Sequence, residues 1–403
     1  MRICYLCQDL GIPLDGIKGA SAHIRGVVRA IKSLGHDIVV VTSSAKEDAE
    51  LGVPVIVIPR ARFLDGSLNK EQPKMARALS HTCNNVMTEK TLLKVIDDFD
   101  PEFIYERYSP FAIAGSTIAK EKGIVHILEV NALLAEEGRL YRKQALQQVC
   151  ELFEQTVFNN TSLIITVSDE LRESLIASGI SSKKVTTVPN GVDEMFFSTL
   201  EHSLHEKSED KIVIGFVGSL KPWHGIDILA ESFRRIADNP IYHLLVVGDG
   251  PMRKVLRQLE NEFPGRITYA GGVNHDKVPE YIDTVDIALA PYPQLEKFYF
   301  SPLKVLEYMA RGKAVIASNI GQIANLIDHG ETGWMVPPGD INSFVDAIEL
   351  LSRDRGLRKK LGEKASQEAR TQHSWKHRAN HILDIIRNTK TEKANIQEIQ
   401  AYN

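Results

Sequence analysis

The string Ser301-Pro302-Leu303-Lys304-Val305-Leu306-Glu307-Tyr308-Met309-Ala310 holds the residues best placed to do chemistry. Serine is a preferred N-cap and proline suits the first helical position, so the pattern predicts a helix that starts at Ser301. The free N–H groups and positive dipole end of such a helix can hold an anion. Lys304 falls in the first turn, where its charge opposes the dipole. That local choice is unfavourable, of the kind expected where an anion binds. Glu307 lies three residues on, on the same helix face, and a plain ion pair with Lys304 is the alternative reading.

Two other loops could approach a ligand. Gln8–Ser21 carries Gly11, Gly16 and Gly19 with the cation Lys18, and it runs straight into a helical pattern. A phosphate-holding turn and an ordinary surface loop stand equally for it. Gly248-Asp249-Gly250-Pro251 follows an apolar strand and opens a helix. A dinucleotide fingerprint needs a third small residue where Arg253 stands, so NAD chemistry is disfavoured, and a tight turn open to close ligand approach is left. Asp98-Phe99-Asp100 is the one D-x-D string, a conceivable metal site. It precedes Pro101 and reads as a solvated helix end. Cys4 and Cys7 fall in a strand, RICYLC, where they should be buried thiols in a reducing cytosol; Cys83 and Cys150 complete the set. No zinc, serine-triad or P-loop signature is seen.

These residues need elements to hold them. Strands are expected at Ile3–Leu6, Ile38–Thr42, Val55–Ile58, Phe103–Tyr105, Ile124–Val130 and Leu163–Val167. Helical patterns intervene, among them Ala20–Leu34, stopping at Gly35, and one that ends over Thr91–Phe99. The rhythm restarts at Lys211–Gly218 and continues through His243–Gly248, Ile267–Gly271, Asp286–Ala290 and Ala314–Ser318. Strand–helix alternation of this kind implies α/β architecture with parallel sheets covered on both faces. The length of 403 residues suits two domains. We expect one over 1–197, a polar linker over 198–210, a second domain over 211–372, and a charged terminal helix with a polar tail over 373–403. Lysine plus arginine number 22 against 25 acidic residues in 1–195, and 26 against 27 in the remainder. Neither half is basic, which disfavours nucleic acid as the main partner. No apolar run reaches membrane-spanning length. The expectation is a cytoplasmic protein, with peripheral contact at the inner membrane face left open.

Taken in order, the motifs resemble glycosyltransferase family four, a retaining family with the GT-B fold. The resemblance covers nearly the whole chain and is strongest over 163–340. It rests on Thr166-Val167-Ser168 before a helix, Val188–Asp193, Phe216–Gly225 (FVGSLKPWHG), Val247–Pro251, Tyr299–Ala310 and Gly312–Ile316. In the first half, Gly16–Ser21, Tyr105–Tyr108 and Leu128–Ala132 resemble one subgroup. The family implies two doubly wound Rossmann-like domains facing across a cleft, with a nucleotide diphosphate sugar as donor, a hydroxyl acceptor and no metal or other cofactor. It implies that Glu307 holds the ribose and that Ser301, Pro302 and Leu303 hold the diphosphate. Gly19, with Lys18, approaches the phosphate, and the backbone of Val273 meets the base. The remaining donor-side positions are Ser219, Lys221, His224, Gly248, Gly250, Tyr299 and Lys304. Asn131, Glu129 and Lys304 are the expected catalytic group, and Glu106, Arg107 and Asn131 face the acceptor. Three positions depart from the pattern. Tyr299 replaces the first glutamate of E-x7-E. Ser219 and His224 replace an arginine and a lysine, and Lys221 and Lys304 are the cations left to compensate. A nucleotide-sugar epimerase of the same fold and a non-catalytic sugar-binding relative are the rival readings.

Overall fold

The computed structural model describes residues 1–16, 19–45, 51–60, 71–198 and 211–401, with side chains as far as 389. The expected linker, apart from Ser198, and Lys18 lie outside the described residues. The chain divides into two units, Met1–Pro189 with Arg378–Asn403, and Asn190–His377.

The first unit is a seven-stranded parallel sheet in the order β3-β2-β1-β4-β5-β6-β7. The strands are β1 Arg2–Cys7, β2 Asp37–Thr42, β3 Val55–Val57, β4 Phe103–Arg107, β5 Val125–Val130, β6 Leu163–Thr166 and β7 Val185–Thr187. Uninterrupted apolar runs such as DIVVVT suit strands buried on both faces. Cys4 and Cys7 sit fully buried in β1, and desolvation pushes both thiols up to about 12, so neither is poised for redox or metal work. The D-x-D string is a helix end, as expected: Asp100 closes the Pro73–Phe99 helix with φ of 46° and pairs with Arg2 at 2.6 Å. The last helix, Trp375–Ala401, belongs to this unit from Arg378 on, and it buries Ala379, Ile382, Leu383 and Ile386 at helical spacing.

The second unit is a six-stranded parallel sheet in the order β10-β9-β8-β11-β12-β13. Its strands are β8 Ile212–Val217, β9 Tyr242–Val247, β10 Ile267–Gly271, β11 Ile287–Ala290, β12 Ala314–Ser318 and β13 Trp334–Val336. Alternation along the strands sends Ile214, Phe216, Leu244 and Ile287 into one core with the Ile226–Ile236 and Ile341–Arg353 helices. Val217, Leu245, Val247 and Ala288 enter the other, with the Leu303–Ala310 helix. The chain runs from β8 outward to β10, then crosses to β11 on the other side of β8. That reversal of strand order opens a crevice at the carboxyl ends of β8 and β11, where doubly wound sheets bind ligands.

Two expectations need correction. The first unit ends at Pro189, not at 197: Val192 donates to the His373 carbonyl at 2.8 Å, and Phe196 is buried in the second unit's core. The helix at 301 begins two residues late, at Leu303, with Pro302 in the N-cap position. Ser301 does not cap it, because its hydroxyl accepts the Asn190 N–H at 3.0 Å and its carbonyl accepts from Asn190 Nδ2 at 2.9 Å.

The turns after β8 and β9 interlock through backbone. Gly218 N donates to the Val247 carbonyl at 2.8 Å, Leu220 N to Asp249 at 3.0 Å, and Met252 N to Leu220 at 3.0 Å. Gly248 has φ of +136°, and a β-carbon there would lie 1.9 Å from the Gly218 carbonyl oxygen. Gly248→Ala should therefore cost about 2–4 kcal/mol in chemical denaturation, combining backbone strain with overpacking. Gly265→Ala, at φ of +74° with nothing within 4 Å, isolates the backbone effect and should cost about 1 kcal/mol. Equal costs would show that the interlock tolerates a side chain.

Candidate functional site

Lys304 lies against the ends of β8 and β11 in the second unit. It is the second residue of the Leu303–Ala310 helix, whose first turn contains no acid. Only 7% exposed, its ammonium has no hydrogen-bond partner among the described residues. Nζ lies 4.1 Å from the ring centroid of Phe216 on β8 and 5.1 Å from that of Tyr292, just beyond β11. Gly218 makes room for it: a β-carbon there would meet Lys304 Cε at 3.0 Å and Nζ at 3.2 Å. Burial drives its pKa down to about 7, with a smaller opposing pull from Glu307.

Glu307, one turn on, is not the ion-pair partner of Lys304. Its Oε1 lies 2.8 Å from His275 Nε2, and the His275 ring packs on Phe196 at 5.3 Å. The carboxylate is fixed from one side, with its second oxygen unbonded among the described residues. His275 and Tyr292 are site residues that sequence reading missed. Nothing in the local spacing marks either one; only the sheet order brings them to positions 304 and 307.

The other expected donor-side residues of this unit lie in the segments that follow β8, β9, β10 and β11. Gly248 and Gly250 form the interlocked turn beside Gly218. Ser219 joins His224, whose Nδ1 lies 2.5 Å from the Ser219 carbonyl oxygen, and the His224 ring meets Tyr292 edge-on at 5.7 Å. Lys221 is drawn aside, its Nζ 5.6 Å from the Trp223 ring. Tyr299 stacks at a tilt against Phe300 at 4.6 Å, and Val273 packs at the margin of the core.

The first unit carries its own polar clusters at the carboxyl ends of β4 and β5. Glu129 is buried with Arg107 Nη1 at 2.9 Å, Asn131 Nδ2 at 2.6 Å and His23 Nε2 at 2.7 Å from Oε1, and the Tyr105 hydroxyl at 2.7 Å from Oε2. Burial alone would raise its pKa, but His23, Arg107 and Asn131 overturn that and hold it at about 2. Glu129 is thus a fixed anion shielded from solvent, while Asn131 is half-buried at the strand end. Glu106 does not join them. Neighbours on a strand face opposite ways, and Glu106, 1% exposed, takes bonds from Gln8 at 2.6 Å and His126 at 2.8 Å. Its expected place beside Arg107 and Asn131 at the acceptor is corrected accordingly. Gly19 opens the Gly19–Ser33 helix, whose His23 is a further residue that sequence reading missed.

The chain is similar to known glycosyltransferases. The model of Glycosyltransferase Family 4 matches residues 17–195, and that of Glycosyl transferases group 1 matches 211–354. An uncharacterized glycosyltransferase of Methanocaldococcus jannaschii is 24% identical over 238 residues, which is 56% of this chain and 59% of that protein. The capsular polysaccharide biosynthesis glycosyltransferase CapM of Staphylococcus aureus is 26% identical over 68% of this chain and 74% of its own. The match to the first of these thus spans under two thirds of its length. Among solved structures, Anabaena HepE in complex with UDP superposes with a TM-score of 0.72 at 18% identity, covering 96% of this chain and all of that one.

If Glu307 holds ribose hydroxyls through charge-assisted bonds, each worth about 1.5–3 kcal/mol, Glu307→Ala should weaken binding of free nucleoside diphosphate at least about tenfold by calorimetry. Unchanged affinity would leave Glu307 as a structural partner of His275.

Proposed function

The chain belongs to glycosyltransferase family four, the glycosyl transferases of group 1, with the GT-B fold, and from that premise we propose that it moves a sugar from a nucleoside diphosphate donor to a hydroxyl acceptor with retention at the anomeric carbon. The observation that carries the reading is the buried, unpartnered ammonium of Lys304 at the β8/β11 crevice. A diphosphate leaving group gains negative charge as the C1–oxygen bond breaks. Lys304 and the free N–H groups at the start of the Leu303–Ala310 helix supply fixed positive potential to it in a site already dry. The acceptor oxygen bonds to C1 on the face the diphosphate leaves, and the acceptor's proton passes to the departing phosphate oxygen. Asn131 gives its Nδ2 to Glu129, which turns its carbonyl oxygen toward hydroxyl donors. Glu129 acts as a positioning residue. The UDP of the Anabaena neighbour supports UDP-sugars as the first donors to try, and thermal shift against UDP-, GDP- and ADP-sugars would select among bases. A ligand at about 100 times its Kd adds about 2.7 kcal/mol of stability.

On this reading the leaving group needs no divalent ion. Transfer rates should stay within about twofold in EDTA, since the positive charge that stabilises the diphosphate is covalently part of the chain. Loss of activity in EDTA, restored by magnesium or manganese, would overturn it.

Lys304→Met separates folding from chemistry. The ammonium binds its proton more tightly when unfolded, so its cost to the fold is complete below pH 7 and fades as pH rises from 7 toward 10.5. The variant should melt at least about 2 °C higher at pH 6.5, with the gain shrinking by pH 9.5. Turnover at saturating donor should fall by about 100-fold, as for removal of one preorganised donor to a developing anion. A near-normal rate would leave the diphosphate to the helix N–H groups alone.

A further inference from the structure

The fold commits the His224 ring before any ligand arrives. Nδ1 faces the Ser219 backbone carbonyl at 2.5 Å, and the Ser219 hydroxyl lies 3.3 Å from the same nitrogen. A carbonyl oxygen only accepts, so Nδ1 carries the ring proton and donates it. Burial first, then the ammonium groups of Lys304 and Lys221, press the imidazole down to about 3, against the pull of the Ser219 carbonyl. The ring is neutral at physiological pH, and the remaining nitrogen, Nε2, presents a bare lone pair. No other hydrogen bond to this ring exists among the described residues. Such a nitrogen cannot donate to a phosphate oxygen; facing one, it would set lone pair against lone pair.

The ring's neighbours define what it can receive. His224 meets Tyr292 edge-on at 5.7 Å, and Lys304 Nζ stands over the same Tyr292 ring at 5.1 Å. One phenol ring thus carries, side by side, a cation without an anion and an acceptor without a donor. Bare pyrophosphate satisfies only the first. A ligand that satisfies both bears an anionic oxygen and a hydroxyl, which is the chemistry of a phosphorylated sugar.

We propose that His224 reads the donor sugar: its Nε2 accepts a hydrogen bond from a sugar hydroxyl adjacent to the phosphate held by Lys304, making position 224 a determinant of sugar recognition in place of a phosphate-binding cation. The inference rests on the donor reading above. It divides labour that a lysine at 224 would merge, since charge recognition falls to Lys304 and hydroxyl recognition to His224.

The test compares UDP with UDP-glucose, and GDP with GDP-mannose in parallel, by calorimetry on the full chain. His224→Ala should leave the affinity for the free diphosphate within about twofold and weaken the matching sugar nucleotide by about fivefold, the range of one neutral hydrogen bond. His224→Lys should tighten the free diphosphate while losing the sugar's contribution. Equal weakening of both ligands by His224→Ala would make His224 a phosphate ligand, and no change in either would remove it from recognition; both outcomes overturn the proposal. A wild-type chain that binds none of the four ligands counts against the donor reading instead. A second measurement is independent of ligand. Nitrogen-15 NMR of labelled histidine should show one ring protonated at Nδ1 and neutral from pH 5 to 8. A His224 that titrates near 6.5, or that carries its proton on Nε2, overturns the assignment.

Discussion

A lysine ammonium buried over the faces of Phe216 and Tyr292, without a carboxylate to meet it, is the constraint on which the second unit's chemistry depends. Ring faces attract a cation through their quadrupoles, but they do not replace lost water, and so the pKa falls to about 7. The nearest acid on the same helix, Glu307, is turned away by His275. Gly218 and Gly248, both at positive φ, let the β8 and β9 turns close on each other while leaving space for the lysine side chain. Each of these choices is locally costly. Together they make sense as preorganisation for an anion that brings its own charge.

The first unit shows the opposite arrangement. Glu129 is a buried anion that is fully met, by Arg107, Asn131, His23 and Tyr105, and its low pKa follows from that company. Where the second unit leaves charge unsatisfied and available, the first spends it internally, to fix the orientation of one half-buried amide. Both sheets reverse strand order, beside β1 and beside β8, and the Glu129 cluster lies at the ends of β4 and β5, next to the first reversal. The shared topology sets where a ligand is received, and the side chains set which chemistry each place offers.

Much of this was legible along the chain. Apolar runs bounded by glycine placed the strands, because strands buried on both faces have little other freedom. The Ser301–Ala310 block placed Lys304 and Glu307 on a helix at the sheet's carboxyl edge. The helix start was misjudged because a serine that looks like a cap is claimed by Asn190, some 111 residues away in sequence. The pairing of Glu307 with His275, the Tyr292 floor beneath Lys304 and His224, and the bond of His23 to Glu129 were not legible. Each joins residues through sheet order, which local spacing does not encode. Glu106 was misplaced for a simpler reason: adjacency along a strand puts it on the face opposite Arg107.

The most direct test of the account is the titration of Lys304 itself, followed through its side-chain ammonium and Cε resonances by NMR with and without UDP. The free protein should show one lysine titrating near 7, absent in Lys304→Arg, and saturating nucleotide should move it up by at least one unit as the diphosphate supplies the missing anion. A Lys304 that titrates near 10.5 in the free protein, or whose pKa is indifferent to bound nucleotide, would contradict it.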